Sequence, residues 1–274
     1  HWRTMYRILT QNKQVQERRN QLKHPVYEKP ELLATAPRQL WSWDITKMRG
    51  PEKWSYYYLY VLLDVFSRYV VGYMVTSAER ATLARDFIET SCERQEINQN
   101  QLTIHADRGS PMISKTVGQL LVDLRVEKTH SRPHVSNDNP YSEAQFKTMK
   151  YRADYPKRFG SLEDARGWAK DFFHWYNYVH HHSALGLMPP AVVHYGQADL
   201  VRERRERVLS AAYEAHPERF PNGLPRQAPL ATAVWINKPV LDTETIGGDG
   251  QSEAETPILT PPTNPNNGRI LEHQ

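Results

Sequence analysis

The chain is 274 residues long, with 39% hydrophobic and 24% charged residues and a mean hydropathy of −0.71. No apolar run approaches the roughly 20 residues that cross a bilayer, which excludes a membrane-spanning protein. The single cysteine, Cys92, excludes an intrachain disulfide and a Cys₂His₂ zinc site, and it fits a reducing, cytoplasmic compartment.

The charge of the chain is unevenly distributed. The net charge is +4 and the isoelectric point is about 9.0, but residues 241–274 hold six acids and one base, a net −5. Residues 1–240 therefore carry +9, which suits a polyanionic partner such as nucleic acid. The acidic tail is rich in Pro, Gly, Asn and Thr, and its composition predicts disorder.

Residues 1–37 form a basic arm and linker. The first thirty residues hold seven bases against two acids, and a helical pattern is followed by a Pro-rich stretch. A DNA-contacting arm, the end of a helix-turn-helix unit and a plain solvated basic helix all fit this pattern. The chain begins on His1 and has no secretory leader, so upstream sequence is expected.

Residues 38–196 alternate between strand and helix signals. Three strands come first and are separated by turn residues; a helix, a strand, a helix, a strand and further helices follow. This order predicts an α/β protein with a ribonuclease-H-like mixed five-stranded sheet flanked by helices. The remaining residues, 197–240, are interpreted as a helical, basic extension. The predicted strands are 40–48, 56–66, 68–76, 102–106 and 126–131, and the predicted helices are 79–97, 114–124, one from about Tyr141, 161–182, one behind Pro189-Pro190, and 197–215.

Three carboxylates occupy unusual positions in this pattern. Asp44 interrupts the aromatic strand "WSWDIT", Asp107 closes the strand "LTIHA", and Glu143 lies in the first turn of the helix behind Pro140. A charge inside a buried strand is costly unless it is compensated. If the two strands are neighbours and the helix begins beside them, the three carboxylates converge and require cations. Hard oxygen ligands indicate Mg²⁺ or Mn²⁺.

A site with two such ions suits phosphoryl transfer. Two cations about 3.5–4 Å apart can activate an attacking hydroxyl and stabilise the departing oxygen. Water as nucleophile gives nicking, and a DNA 3′-hydroxyl gives strand transfer.

The motifs around these carboxylates resemble a known family. Thirty-five residues separate Asp107 from Glu143, within "HADRGS" and "NDNPYSEAQFKTMK", and "WSWDIT…LLDVFSRYVVGY" precedes them. Over roughly residues 36–196 this ordered set resembles the D-D-E core of retroviral-integrase-like transposases of bacterial insertion sequences. "WYNYVHHHSALGLMPPAVV" resembles the end of that core.

The resemblance implies roles for several residues. Asp44, Asp107 and Glu143 would bind two Mg²⁺ or Mn²⁺ ions, and Asp44 would bridge both. Lys150, two helical turns after Glu143, matches a basic residue that contacts DNA near the scissile phosphate, and Asn139 matches a position beside the active site, where it is predicted to bind DNA. Asp64, in "LLDVFSR", matches a position that supports a turn of the sheet and is left out of the triad. Separately, Arg108 beside Asp107 is predicted to touch the DNA backbone, with a loop salt bridge as the alternative.

By the same resemblance, the chain would cleave transposon ends and join them to target DNA as a homo-oligomer associated with the bacterial nucleoid. Two other functions stay open: another metal-dependent nuclease on this fold, and a domesticated DNA-binding protein without catalysis. The basic arm and the basic extension favour a transposase over the nuclease. The intact triad with Lys150 argues against the loss of catalysis.

Overall fold

The computed structural model describes residues 1–12, 29–107, 109, 111–132, 138–227 and 229–239. The chain divides into two units, residues 1–238 and 239–274, and all of the second except Pro239 lies outside the described residues. The predicted disorder of residues 241–274 and much of the basic arm fall there too. The helices are α1 (Trp2–Gln11), α2 (Ala81–Arg94), α3 (Lys115–Asp123), α4 (Pro140–Lys150), α5 (Leu162–Tyr178), α6 (Pro190–His194) and α7 (Ala198–Ala215); the strands are β1 (Leu32–Ala34), β2 (Leu40–Arg49), β3 (Tyr56–Asp64), β4 (Val70–Thr76), β5 (Thr103–Ala106), β6 (Glu127–His130) and β7 (Val234–Ile236).

The main sheet has five strands in the order β4-β3-β2-β5-β6. The strands β4, β3 and β2 form an antiparallel meander, and β5 and β6 continue from β2 in parallel. Short turns connect the antiparallel strands, whereas α2 and α3 make the crossovers that parallel pairing requires. The predicted ribonuclease-H-like α/β fold, a mixed five-stranded sheet flanked by helices, is confirmed.

Both faces of the sheet are covered by helices. Trp41 and Trp43 of β2 pack with α2 and α3 on one face. Met48, five residues after Trp43 on the same strand, packs with α4 and α5 on the other face. Successive residues of a strand alternate between faces, so Asp44 shares the α4 face with Met48. This alternation places Asp44 on the face of the sheet that α4 covers.

The ends of the helices follow local capping chemistry. The side chains of Ser114 and Ser161 accept hydrogen bonds from backbone N–H groups in the first turns of α3 and α5. The helix α5 stops at Tyr178, four residues before the predicted end. The chain then folds back, because His182 pairs with Met188 across a turn in which Gly186 has a positive φ of 60°.

A second, two-stranded sheet joins the linker to the C-terminal extension. Here β1 pairs antiparallel with β7, and Ala34 and Ile236 are buried together with Val65 of the main domain. The predicted division into arm, core and extension does not anticipate this pairing. Three-residue strands have too little periodicity to be read from sequence. No described helix is both long enough and apolar enough to cross a membrane.

Candidate active site

The two strand-borne aspartates lie side by side. In the parallel pairing of β2 with β5, Trp43 is opposite Ala106. The next residues along the two strands are Asp44 and Asp107, which therefore lie next to each other. Asp44 is half-buried in mid-strand, and Asp107 directly follows the last residue of β5. The first assumption behind the predicted site, neighbouring strands, is therefore met.

Glu143 approaches the same place from α4. It lies in the first turn of this helix, which begins at Pro140. The start of α4 is tied to β2 by a buried cluster: the Ser42 hydroxyl donates to Asn139 Oδ1 and is hydrogen-bonded to the Ser142 hydroxyl. Ser42 is two residues before Asp44 and therefore on the same face of β2. The cluster sets where Glu143 sits relative to Asp44.

The pKa of Asp44 reflects the two carboxylates near it. Burial first, and then the charges of Asp107 and Glu143, raise the pKa of Asp44 to about 7, against the lowering effects of the Ile45 N–H and of Lys150. The Ile45 N–H donates to Asp44 Oδ1 at 2.7 Å. Among the described residues that shift the pKa of Asp44, two are carboxylates, Asp107 and Glu143, and one, Lys150, is positively charged. This deficit of positive charge is what a divalent cation corrects.

The donor set fits a hard cation in its chemistry, but it is not yet a closed coordination shell. Within the described residues, no three His, Cys, Asp or Glu side chains are grouped closely enough to hold a metal ion as they stand. Like-charged carboxylates repel one another when no cation lies between them. Metal binding at Asp44, Asp107 and Glu143 would therefore draw these side chains together.

Lys150 lies on the face of α4 that meets β2. Its Nζ donates to Thr46 Oγ1 at 2.5 Å, and Thr46 is two residues beyond Asp44 on the same strand face. Burial lowers the pKa of Lys150, and Asp44 partly opposes that effect. The structure thus brings Lys150 to the carboxylates, as the helical spacing from Glu143 predicts, and the contact with DNA stays a prediction.

A series of hydrogen bonds through Ser131 and His105 holds Asp107 at the end of β5. Ser131 Oγ donates to Asp107 Oδ1 at 2.6 Å, and Ser131 Oγ also lies 3.2 Å from His105 Nε2. The buried His105 Nε2 donates to the Asp138 carbonyl at 2.8 Å, so its Nδ1 accepts from the Thr129 hydroxyl. Burial lowers the pKa of His105, which keeps the ring neutral. Among the described residues, these hydrogen bonds orient Asp107 Oδ1 and leave Oδ2 for a ligand.

The predicted DNA contact Asn139 is engaged inside the protein. Asn139 is fully buried, and its amide is engaged with β2: Oδ1 accepts from Ser42, and Nδ2 donates to the Trp43 carbonyl at 3.4 Å. This placement does not suit a direct contact with DNA, and it suits the positioning of α4. Arg108 lies outside the described residues.

Sequence reasoning missed four polar residues around the carboxylates: Ser42, Thr46, Ser131 and Ser142. A signal for the first two was present, since Ser42 and Thr46 are polar residues that alternate with Asp44 on one face of a strand. Ser131 follows β6 as Asp107 follows β5, and the C-terminal ends of parallel neighbours meet at one edge. Ser142 has no signal beyond its place beside Glu143.

Comparison with known proteins agrees with this geometry. Two family models, both described as an integrase core domain, match residues 34–136 and 124–190. The transposase of insertion sequence element IS904 from Lactococcus lactis is 30% identical over 161 residues, which are 57% of this chain and 61% of that protein. Transposase InsF of insertion sequence IS3A from Escherichia coli is 29% identical over 158 residues, 57% of this chain and 54% of the relative. The matched region thus spans little more than half the length of these relatives.

Solved structures with a related fold include viral integrases. The simian T-cell lymphotropic virus intasome in complex with PP2A regulatory subunit B56 gamma has a TM-score of 0.49 at 19% identity, over 63% of this chain and 60% of that chain. The HTLV-2 integrase catalytic core domain in complex with magnesium has a TM-score of 0.43 at 18% identity, over 58% of this chain and 97% of that chain.

The sequence matches and the geometry converge on one stretch of the chain. The two family models together cover β2 through α5, the elements that carry all three carboxylates and Lys150. The predicted resemblance is confirmed: residues 34–190 are similar to the integrase core domain, and the relatives that match this chain include insertion-sequence transposases.

Proposed function

We propose that this chain is the catalytic part of an insertion-sequence transposase that cleaves DNA at transposon ends and joins them to target DNA. The observation that supports the proposal is that Asp44 and Asp107 follow paired residues of neighbouring strands and that the charges of Asp107 and Glu143 both act on Asp44, whose pKa is raised to about 7. Such a cluster has little value for stability, because its members repel one another.

Divalent cations belong to this proposal. Asp44, Asp107 and Glu143 would hold two Mg²⁺ or Mn²⁺ ions. When bound, two ions would activate the attacking hydroxyl and stabilise the leaving oxygen in an in-line displacement. Oxygen ligands from carboxylates suit these cations.

The other residues of the site have supporting roles. Lys150, anchored on Thr46, adds positive charge where the scissile phosphate would lie. Ser131 orients Asp107, and Asn139 with Ser42 and Ser142 holds Glu143 near Asp44. The partners under this proposal are transposon-end DNA, target DNA and further copies of the chain, since two ends have to be brought together.

The test compares Asp107→Asn with a matched surface variant, Asp123→Asn. Asp123 is exposed at the end of α3 and accepts a hydrogen bond from Gln119. With labelled end DNA and Mg²⁺, the wild type and Asp123→Asn should join the end to target DNA, and Asp107→Asn should not. Calorimetric titration with Mn²⁺ should show binding to the first two proteins and strongly weakened binding to Asp107→Asn.

The same assay separates the alternatives. Mg²⁺-dependent nicking without joining would identify another nuclease on this fold. DNA binding without either reaction in the wild type would identify a domesticated DNA-binding protein. Joining by Asp107→Asn at the wild-type rate would remove Asp107 from the site.

A further inference from the structure

The hairpin between β2 and β3 ends in an exposed tryptophan with an unusual backbone. The Trp54 side chain is 76% exposed, and its φ is +71°. Bulky side chains rarely adopt the left-handed region, and strain of this kind concentrates at functional sites. The positive φ raises the question of which contacts keep the Trp54 ring exposed.

The hairpin end is rigidly built. The Gly50 N–H donates to the Ser55 carbonyl at 2.9 Å, and the Ser55 hydroxyl donates to the Glu52 carbonyl at 2.9 Å. A Cβ on Gly50 would lie 2.5 Å from Ser55 Oγ, so this close turn requires glycine.

A second segment pins the hairpin end from outside. Arg158 Nη1 donates to the carbonyls of Gly50 and Glu52, at 3.0 and 2.7 Å, and the Phe159 N–H donates to the Arg49 carbonyl at 2.9 Å. Hydrogen bonds from Arg158 and Phe159 thus hold the turn that carries Trp54. An aromatic side chain on a rigid turn loses little conformational entropy when it binds a partner.

The surroundings of Trp54 are basic. Residues 47–54 and 157–158 hold five bases and a single acid, Glu52. Lys53 Nζ lies 5.5 Å from the centre of the Trp54 ring, and Lys47 Nζ lies 5.5 Å from the Tyr56 ring. Aromatic rings among Lys and Arg suit nucleic acid, because bases stack on the rings and phosphates pair with the cations. A protein partner would have to be strongly acidic to match this surface.

The hairpin is a direct continuation of the strand that carries the candidate catalytic residue. Asp44 and Arg49 are five residues apart on β2, which is about 17 Å at the antiparallel rise per residue. DNA lying along β2 would reach the hairpin end about five base pairs from the scissile phosphate.

We infer that Trp54, with Lys53 and the basic residues around it, is a DNA contact that grips the substrate about five or more base pairs from the active site. The basic side chains pair with phosphates, and the Trp54 ring lies against a base or enters the minor groove as an apolar wedge. This inference rests on the proposed function only in naming DNA as the substrate.

The experiment measures DNA affinity without metal, so that its outcome is independent of catalysis. A labelled duplex of mixed sequence, and a duplex with the element's own terminal sequence, are titrated with wild type, Trp54→Ala, Trp54→Phe and Lys53→Ala. The control is Val122→Ala, which removes a 70% exposed apolar side chain from α3.

Trp54→Ala should weaken binding about fivefold or more, Trp54→Phe much less, and the control not at all. Lys53→Ala should lower the slope of log K against log salt by about one. The emission of Trp54, taken as the difference between wild type and Trp54→Phe, should become protected from acrylamide when DNA binds. An effect with both duplexes assigns the contact to DNA in general, and an effect confined to the terminal sequence assigns it to the transposon end.

Two results would overturn the inference. One is unchanged affinity of Trp54→Ala for both duplexes, with the ring still open to acrylamide in the complex. The other is a Trp54→Ala variant that keeps its DNA affinity but loses self-association in sedimentation, which would assign the hairpin end to a contact between copies of the chain.

Discussion

Two aspartates on neighbouring strands, Asp44 on β2 and Asp64 at the end of β3, are both withdrawn from solvent, yet their surroundings differ completely. Asp64 is fully buried and its carboxylate is satisfied: Oδ2 accepts from the Arg38 N–H at 2.6 Å, and Oδ1 accepts from the N–H and the hydroxyl of Ser67, each at 2.8 Å. Among the described residues, Asp44 accepts one hydrogen bond, from the Ile45 N–H, and its other neighbours include two carboxylates.

The difference shows how to tell a structural carboxylate from a reactive one. Burial raises the pKa of both groups, so a raised pKa alone does not separate them. Hydrogen-bond donors from the backbone and Ser67 offset the cost at Asp64, and they fix the β3–β4 turn. At Asp44 the described donor is the Ile45 N–H, and under the proposed function a bound cation would supply the rest of the compensation.

The largest expected effect is on activity, from Asp44→Asn. Strand cleavage and joining should fall at least about a thousandfold, since several kcal/mol of transition-state stabilisation by the bound ions is lost. The free energy of unfolding of the metal-free protein should stay the same or rise, because a buried, repelled charge is removed. Activity assays and denaturant unfolding on one preparation check both. A loss of stability equal to that of an Asp64 variant would contradict the comparison.

The converse variant, Asp64→Asn, should leave the chemistry and damage the fold. An amide cannot accept all the hydrogen bonds that Asp64 receives, and the free energy of unfolding should drop by about 2–4 kcal/mol. The fraction that stays folded should cleave DNA at close to the wild-type rate. Loss of activity in a protein that circular dichroism shows to be fully folded would place Asp64 in the reaction.

A third prediction concerns the cluster that places Glu143 beside Asp44. Asn139→Ala and Asn177→Ala each remove a buried asparagine with two hydrogen bonds; those of Asn177 go to the backbone of Val70 on β4. Both variants should lose about 2 kcal/mol of stability. Because Asn139 ties the start of α4 to β2 and Asn177 does not, only Asn139→Ala of the two should weaken Mn²⁺ binding, by roughly tenfold as for other residues that orient ligands.

Calorimetric titration with Mn²⁺ provides this comparison, and thermal unfolding of the metal-free proteins provides the control. Equal Mn²⁺ affinities for the two variants would show that Asn139 is a stabilising residue without influence on the site.

The smallest effect is a pH dependence in the network behind Asp64. Ser67 Oγ lies 2.9 Å from His194 Nδ1, and burial lowers the pKa of His194 from 6.5 to about 4. A histidine with a lowered pKa in the folded state contributes stability that is complete above pH 6.5 and is lost as the pH falls towards 4. At pH 5.5 the loss should be about 1 kcal/mol.

Denaturant unfolding at pH 7.5 and 5.5 measures this loss, with His194→Gln as the comparison. The variant should show a smaller difference between the two pH values than the wild type. Equal differences would mean that His194 is not the group that titrates.

Much of the fold could be predicted because its signals are local. Sequence periodicity alone indicates the aromatic and β-branched runs of β2, β3 and β4 and the apolar stripe of α2. The pairing of β1 with β7 could not be predicted, because three-residue strands about two hundred residues apart have no periodicity, and long-range pairing is decided by packing around Ala34 and Ile236.

The sequence by itself determined the identity and order of the acids. It placed Asp44 in a strand, Asp107 at a strand end and Glu143 in the first turn of a helix, since turn, strand and helix-start chemistry is local. Only the tertiary structure decided how these groups act on one another, because pKa and hydrogen bonding depend on neighbours distant in sequence. Asn139, predicted to meet DNA, is buried against β2 for that reason, and Ser131 became the partner of Asp107 when β6 paired beside β5.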